Sequence, residues 1–191
     1  MRIPATVVPY DPRWPELFVS LRLRVDAALS AVPHETVHVG STAVPGLAAK
    51  PIIDLDVVVP DRSLIAPATT ALAAAGWRHT GDQGIPGREA FETVPDLAYH
   101  HLYLVVDGSS AYHDHVDLRD YLRTHPSERE RYAALKESLA PLLATDREAY
   151  VAGKAGLVAE ILKLARQPGA PGDGPEHRSQ PAPLALGALG D

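Results

Sequence analysis

The chain has 191 residues, 46% of them apolar and 22% charged, which is enough for one domain whose core needs no covalent staples. Lys+Arg 18 against Asp+Glu 24 leaves a net charge of −6, which argues against a strongly basic nucleic-acid surface. The absence of cysteine excludes disulfides, thiolate zinc sites and cysteine nucleophiles.

The start, MRIPATVVPYDPRWPELF, has no continuous apolar stretch. No secretory signal is therefore expected, no run is long enough to span a membrane, and a cytoplasmic location is anticipated. Tyr10-Asp11-Pro12 reads as a turn, with Asp11 capping a helix and Pro12 in its first position. Leu17, Leu21, Val25 and Leu29, four apart, form one helix face that Pro33 ends. Residues 35–39 read as a short strand stopped by Gly40-Ser41-Thr42, and 43–49 as a loop or short helix. The strongest strand is 52–59, IIDLDVVV, with Pro51 at its entrance. Residues 63–75 are Ala-rich and helical, stopped by Gly76.

Residues 77–80, 88–94 and 100–106 follow as an antiparallel meander interrupted by Gly81, Gly84 and Gly87. Three helices, near 110–124, 127–143 and 146–166, complete the order. The fold class expected is α+β, a small mixed sheet with its helices on one face. Residues 1–167 form the domain, and the Pro/Gly-rich 168–191 read as a disordered tail.

Asp54 and Asp56 interrupt an otherwise apolar strand. At a spacing of two they share one face, where two buried carboxylates repel unless a cation compensates them. Paired oxygen ligands on a rigid strand suit Mg²⁺ or Mn²⁺, shared with substrate phosphate. Acids merely solvated on a wet face are the plainer alternative. Gly40, Ser41 and Thr42, ahead of this strand, supply backbone N–H groups and hydroxyls able to cradle phosphate. No Walker spacing follows Gly40. Lys50 and Arg88, with Arg119 and Arg123 on one helix face, are candidates for an anionic substrate; surface ion pairing with Asp117, Asp120 or Glu128 explains any one arginine at least as well, but Lys50 and Arg88, inside motif segments, are read as substrate contacts. His113, His115, Asp117 and Asp120 resemble metal ligands by type but fall on a helix expected to be exposed. Trp14, Tyr10 and Phe18 read as core, Tyr132 and Lys136 as a helix–helix contact, and Lys154 as a second phosphate contact.

A Gly-Ser turn followed by an Asp-x-Asp strand resembles the nucleotidyltransferase superfamily, with its DNA polymerase beta-like fold. More narrowly, HVGSTAVPGLAAKPIIDLDVVV is similar to the signature of the GrpB family. The likeness continues through VPYDPRWPELF, GIPGREAF, HHLYLVV, LRDYLRTHP and YAALK, over roughly residues 6–166. Related domains occur fused to dephospho-CoA kinase, whose P-loop is absent here.

The resemblance implies a small mixed sheet flanked by helices, with two carboxylates and a third from a neighbouring strand holding two metal ions. Asp54 and Asp56 match the pair. His101 stands where a third acid is expected, which makes it a third candidate metal ligand and opens the site to other divalent ions. Glu92 is a substitute acid. The implied activity is metal-dependent nucleotidyl transfer, adenylyl first, from a nucleoside triphosphate to a small-molecule acceptor, either as such or as the activation step of an ATP-dependent ligation. The alternative is a non-catalytic nucleotide- or phosphoanion-binding domain. No nucleic-acid or membrane partner is expected, and acceptor, base preference and oligomeric state are not encoded legibly.

Overall fold

A computed structural model describes residues 4 and 6–167, so the tail expected at 168–191 lies outside the described residues. The elements run α1 (Trp14–Ala28), β1 (Glu35–Val39), β2 (Ile53–Val59), α2 (Ile65–Ala74), β3 (His79–Gly81), β4 (Arg88–Phe91), β5 (His100–Val106), α3 (Ser110–Thr124), α4 (Pro126–Leu139) and α5 (Arg147–Ala165). The five strands form one sheet in the order β1-β2-β5-β4-β3. Its centre is parallel, β2 against β5, and every other pairing is antiparallel.

Alternation of side chains gives the sheet two unlike faces. On one, Val57 and Val59 of β2, Leu102 and Leu104 of β5 and Phe91 of β4 pack with Val25, Leu29, Ala68 and Leu72 of α1 and α2. On the other, Val58 and Val105 pack beneath Ala111 and Tyr112 of α3. Helices therefore cover both faces, not one as expected: the short turn at 107–109 sends α3 back over the side opposite α1. A third cluster joins Val44 and Leu47, in the loop after Gly40, to Leu122, Tyr132 and Ile161 of α3, α4 and α5. The C-terminal helices thus fasten the loop that precedes β2.

Helix α1 begins later than expected. Asp11 does not cap it. Its carboxylate accepts the Arg13 backbone N–H at 2.9 Å and pairs with the Arg13 guanidinium. The buried stripe is Trp14, Leu21 and Val25. Leu17 is 39% exposed, because steps of four drift about 40° around a helix and leave it on the margin.

Candidate functional site

The site forms on the α3 side of the sheet, along β2. In register, Asp54 lies between Val39 of β1 and His101 of β5, and Asp56 between Val37 and Tyr103. Asp54 Oδ1 is 2.8 Å from His101 Nδ1. Asp56, 0% exposed, has both oxygens within 3.0 Å of His115 Nδ1 on α3. Each carboxylate therefore faces an imidazole.

The two acids are tuned in opposite directions. Burial alone would raise Asp54, but the His101 hydrogen bond and the charges of His101, His115 and His38 outweigh it and hold the carboxyl below the ordinary range. Burial wins at Asp56 and raises it. Burial opposes the charge on His115, yet the Asp56 carboxylate raises it above the usual imidazole value. Asp56 and His115 thus form a pair that retains a proton.

Gly40 lets the turn approach this pair. Its φ of +71° and ψ of −172° are accessible to glycine and strained for other residues. A Cβ there would overlap Asp54 Oδ2, so the turn backbone lies directly on the carboxylate. Ser41–Ala43 form one 3-10 turn. Thr42 is buried, and its hydroxyl is used internally: it donates to Ile52 O at 3.0 Å and lies 3.1 Å from His38 Nε2. Ser41 instead meets Lys136, whose Nζ donates to Ser41 Oγ at 3.1 Å and to Ala48 O.

Lys136 is 2% exposed and is not the helix–helix contact expected. Burial, reinforced by Lys154 and Lys50, pushes it down to about 7. Lys154 is pushed down to about 8 by burial and by Lys50. Lys50 is lowered by burial and by Arg147. Lys50 and Lys154 flank the Tyr150 ring, 5.6 Å and 4.5 Å from its centroid. All three feel Asp54. Three of the four lysines in the chain converge beside the Gly-Ser turn.

The arginines divide. Arg119 donates to His38 O at 2.9 Å and Arg123 to Ala43 O at 2.7 Å, and both pair with Asp120. They brace the turn from outside, where their guanidiniums are already occupied. Arg88 is 7% exposed and lies with its guanidinium 4.3 Å from the Tyr103 ring centroid. Glu92 pairs with Arg78 beyond the end of β4 and does not join the aspartates. Asp114 and Asp117 pair with Arg166. His100 points into the opposite core, where Trp77 Nε1 donates to its Nε2 at 3.0 Å. Trp14 is buried against Tyr10, and Phe18 stacks on His38 with 4.6 Å between centroids. A cleft of about 530 Å³ on the other flank of α3, walled by Glu35, Asp107 and Asp117, has the wrong charge for phosphate.

Among the described residues no three His, Asp or Glu side chains cluster as a complete metal cage. Asp54 and Asp56 are nonetheless a suitable donor set for Mg²⁺ or Mn²⁺. They are adjacent hard oxygen donors, and such ions keep their remaining positions for water and phosphate. His101, bound to Asp54, reinforces that ligand more directly than it supplies a third one.

Of the side chains that the structure brings to the candidate site, His115 and Lys136 are the least visible in the sequence. Neither carries a signal in its own neighbourhood, since each reads as an ordinary polar position on a helix.

No described helix is long and apolar enough to cross a membrane. The sequence model of the GrpB protein family matches residues 4–164. The chain is 37% identical over 171 residues to a UPF0157 protein of Pseudomonas aeruginosa, covering 82% of this chain and 65% of that one. It is 32% identical to UPF0157 protein YqkA of Bacillus subtilis over 148 residues, 78% of this chain and 43% of that one, so it spans about half to two-thirds of these relatives. A dephospho-CoA kinase of Mycolicibacterium paratuberculosis matches at 28% identity over 44% of its length. Among solved structures, the conserved protein GrpB from Enterococcus faecalis superimposes with a TM-score of 0.74 at 30% identity, covering 83% of this chain and 96% of that one. The GLD-2/RNP-8 complex superimposes at 0.50 with 13% identity, a likeness of fold alone. With its mixed sheet, Gly-Ser turn and Asp-x-Asp strand, the chain belongs to the GrpB family, within the nucleotidyltransferase-like fold.

Proposed function

We propose that the protein transfers a nucleotidyl group, adenylyl in the first instance, from a nucleoside triphosphate to a small-molecule acceptor. The observation that carries this reading is the convergence of Lys50, Lys136 and Lys154 on the Gly-Ser turn, beside the Asp54–Asp56 pair. Asp54 and Asp56 would hold Mg²⁺ or Mn²⁺, which when bound neutralises triphosphate charge and polarises the α-phosphoryl group.

The rest of the work falls to the chain. The Gly40–Thr42 turn presents backbone N–H groups and the Ser41 hydroxyl to phosphate. The three lysines, crowded and held below the ordinary lysine range by burial, are shifted back towards the charged form by a polyanion and so stabilise the departing pyrophosphate. His101 orients Asp54, and His115 keeps Asp56 compensated until a cation replaces its proton. The acceptor attacks the α-phosphorus, the bond to the β-phosphate breaks, pyrophosphate leaves, and the acceptor proton passes to solvent. The same first step serves an ATP-dependent ligation when the acceptor is an acid.

The test is thermal unfolding with ATP, GTP, CTP and UTP, each with and without Mg²⁺ or Mn²⁺, followed by pyrophosphate release with candidate acceptors. A ligand at 100 times its Kd adds roughly 2.7 kcal/mol. Stabilisation that needs both nucleotide and metal and is lost in Asp54→Asn is the expected result. Stabilisation by nucleotide that never leads to turnover favours the non-catalytic binding domain, a reading that the lack of a third acid beside the pair also supports. No response to any nucleotide overturns the transfer reading and leaves only the binding of another anion.

A further inference from the structure

Among the cations of the site, Arg88 alone has a buried polar atom without a hydrogen-bond partner among the described residues. Lys136 has Ser41 and a backbone carbonyl, and Arg119 and Arg123 have Asp120 and the turn carbonyls. Arg88 is 7% exposed, has no ion-pair partner among the described residues, and its Nε is buried without a hydrogen-bond partner. A buried guanidinium left in that condition is costly, and its Nε–H alone forfeits a hydrogen bond that water would otherwise accept. Only the Tyr103 ring, 4.3 Å away, faces its plane.

Its position is also distinct. On the site face of the sheet, Arg88 is in register with Val105, one step from Tyr103, and Tyr103 is in register with Asp56. Its charge acts on Asp56, Tyr103 and His115. The lysines act with Asp54, on the side of the Gly-Ser turn. The aspartate pair is therefore straddled by two cationic poles, one of three lysines and one of a single arginine. In-line displacement sets the leaving pyrophosphate and the incoming nucleophile on opposite sides of the α-phosphorus, and the two poles offer one place for each. Three lysines match a polyphosphate. A lone guanidinium, planar and stacked on a ring, matches one planar monoanion held through two parallel N–H donors.

We infer that Arg88 is the anchor for a carboxylate of the acceptor, which it binds over Tyr103 on the Asp56 side of the site. Arg88 does not hold the triphosphate. The acceptor class is thereby narrowed to small carboxylic acids, bound by the acid group with the attacking atom directed towards Asp56. The word acceptor rests on the transfer reading, whereas the carboxylate site itself does not.

The test follows Arg88 directly in the full chain, free of nucleotide. The protein is labelled with ¹⁵N-arginine, the Arg88 Nε–Hε resonance is assigned by its loss in Arg88→Lys, and acetate, succinate, benzoate and glycine are titrated in, with inorganic phosphate and chloride for comparison. Saturable movement of the Arg88 resonance with at least one carboxylate, at concentrations where chloride has no effect, is the expected result. Thermal stabilisation by that carboxylate should vanish in Arg88→Gln, while ATP affinity with Mn²⁺ falls less than about threefold and drops at least tenfold in Lys136→Met.

Arg88 responding to phosphate or ATP but to no carboxylate overturns the inference. So does an Arg88→Gln loss of ATP affinity equal to that of Lys136→Met. If Arg88→Gln does not fold, the wild-type titration alone decides. Failure of the transfer reading is separate, since it appears as no nucleotide binding in a protein whose Arg88 still answers to carboxylate.

Discussion

Lys136 places an ammonium group almost wholly out of water, with only Ser41 Oγ and Ala48 O as acceptors. With its folded value pushed down to about 7 from 10.5, the unfolded chain binds more protons than the folded one between those limits. Stability must then rise with pH across that window, by at most roughly 1.4 kcal/mol per pH unit. Lys136→Met removes this slope. The variant also loses two hydrogen bonds, so its absolute stability is a balance of opposing effects, but the difference between wild type and variant should move in favour of wild type as pH rises from 7 to 10. Chemical denaturation at four pH values checks it, and parallel stabilities across that range refute it. The same residue explains the limit of reading the sequence. The Asp54–Asp56 pair and the Gly40 turn were legible because acids in an apolar strand and a glycine at its approach violate local expectation. Lys136 and His115 violate nothing locally. Their roles arise only when α3 and α4 fold back over loop and strand, 95 residues from Ser41 and 59 from Asp56.

At the scale of elements, the strands at 35–39 and 100–106 and the helix at 110–124 were legible to the residue, because turn residues bound each one. The partner of β2 was not. Its parallel pairing with β5 crosses α2, β3 and β4, and nothing in either strand names the other. Helix α5 offers a paired test of packing against propensity. Gly153 lies in the helix interior, where a Cβ would meet Leu139 Cδ1 and Cδ2 at 2.9 Å, so α4 and α5 approach closely at that point. Gly156, three residues on, has open space around it. Replacing an interior helical glycine by alanine gains about 1 kcal/mol when nothing obstructs it. Gly156→Ala should therefore stabilise the protein by about that amount. Gly153→Ala should gain less, since the Leu139 side chain must shift to admit the new Cβ. Equal gains in thermal unfolding would show that the α4–α5 contact does not restrain this end of the helix pair.

The whole molecule carries −6, yet its candidate substrate is a polyanion. The conflict resolves because the positive charge is concentrated by topology: β-rich residues 35–106 supply the aspartates and Arg88, while α4 and α5 supply Lys136 and Lys154. On the proposed reading, neither part would hold a triphosphate alone. Their shared contacts, Val44 and Leu47 against Leu122, Tyr132 and Ile161, hold the turn between them. Binding at the turn should then stiffen both parts together, even though the proposed metal ligands belong to one. ATP with Mn²⁺ should slow amide exchange in 40–50 and also in the segments around Lys136 and Lys154, each by at least tenfold, while β3 at the far edge of the sheet is unaffected. Salt should weaken the effect, since it screens the attraction between the lysines and the triphosphate. Protection confined to the turn and β2 would mean that the lysines are structural cations of the apo fold, and the phosphate-binding role would pass to the turn alone.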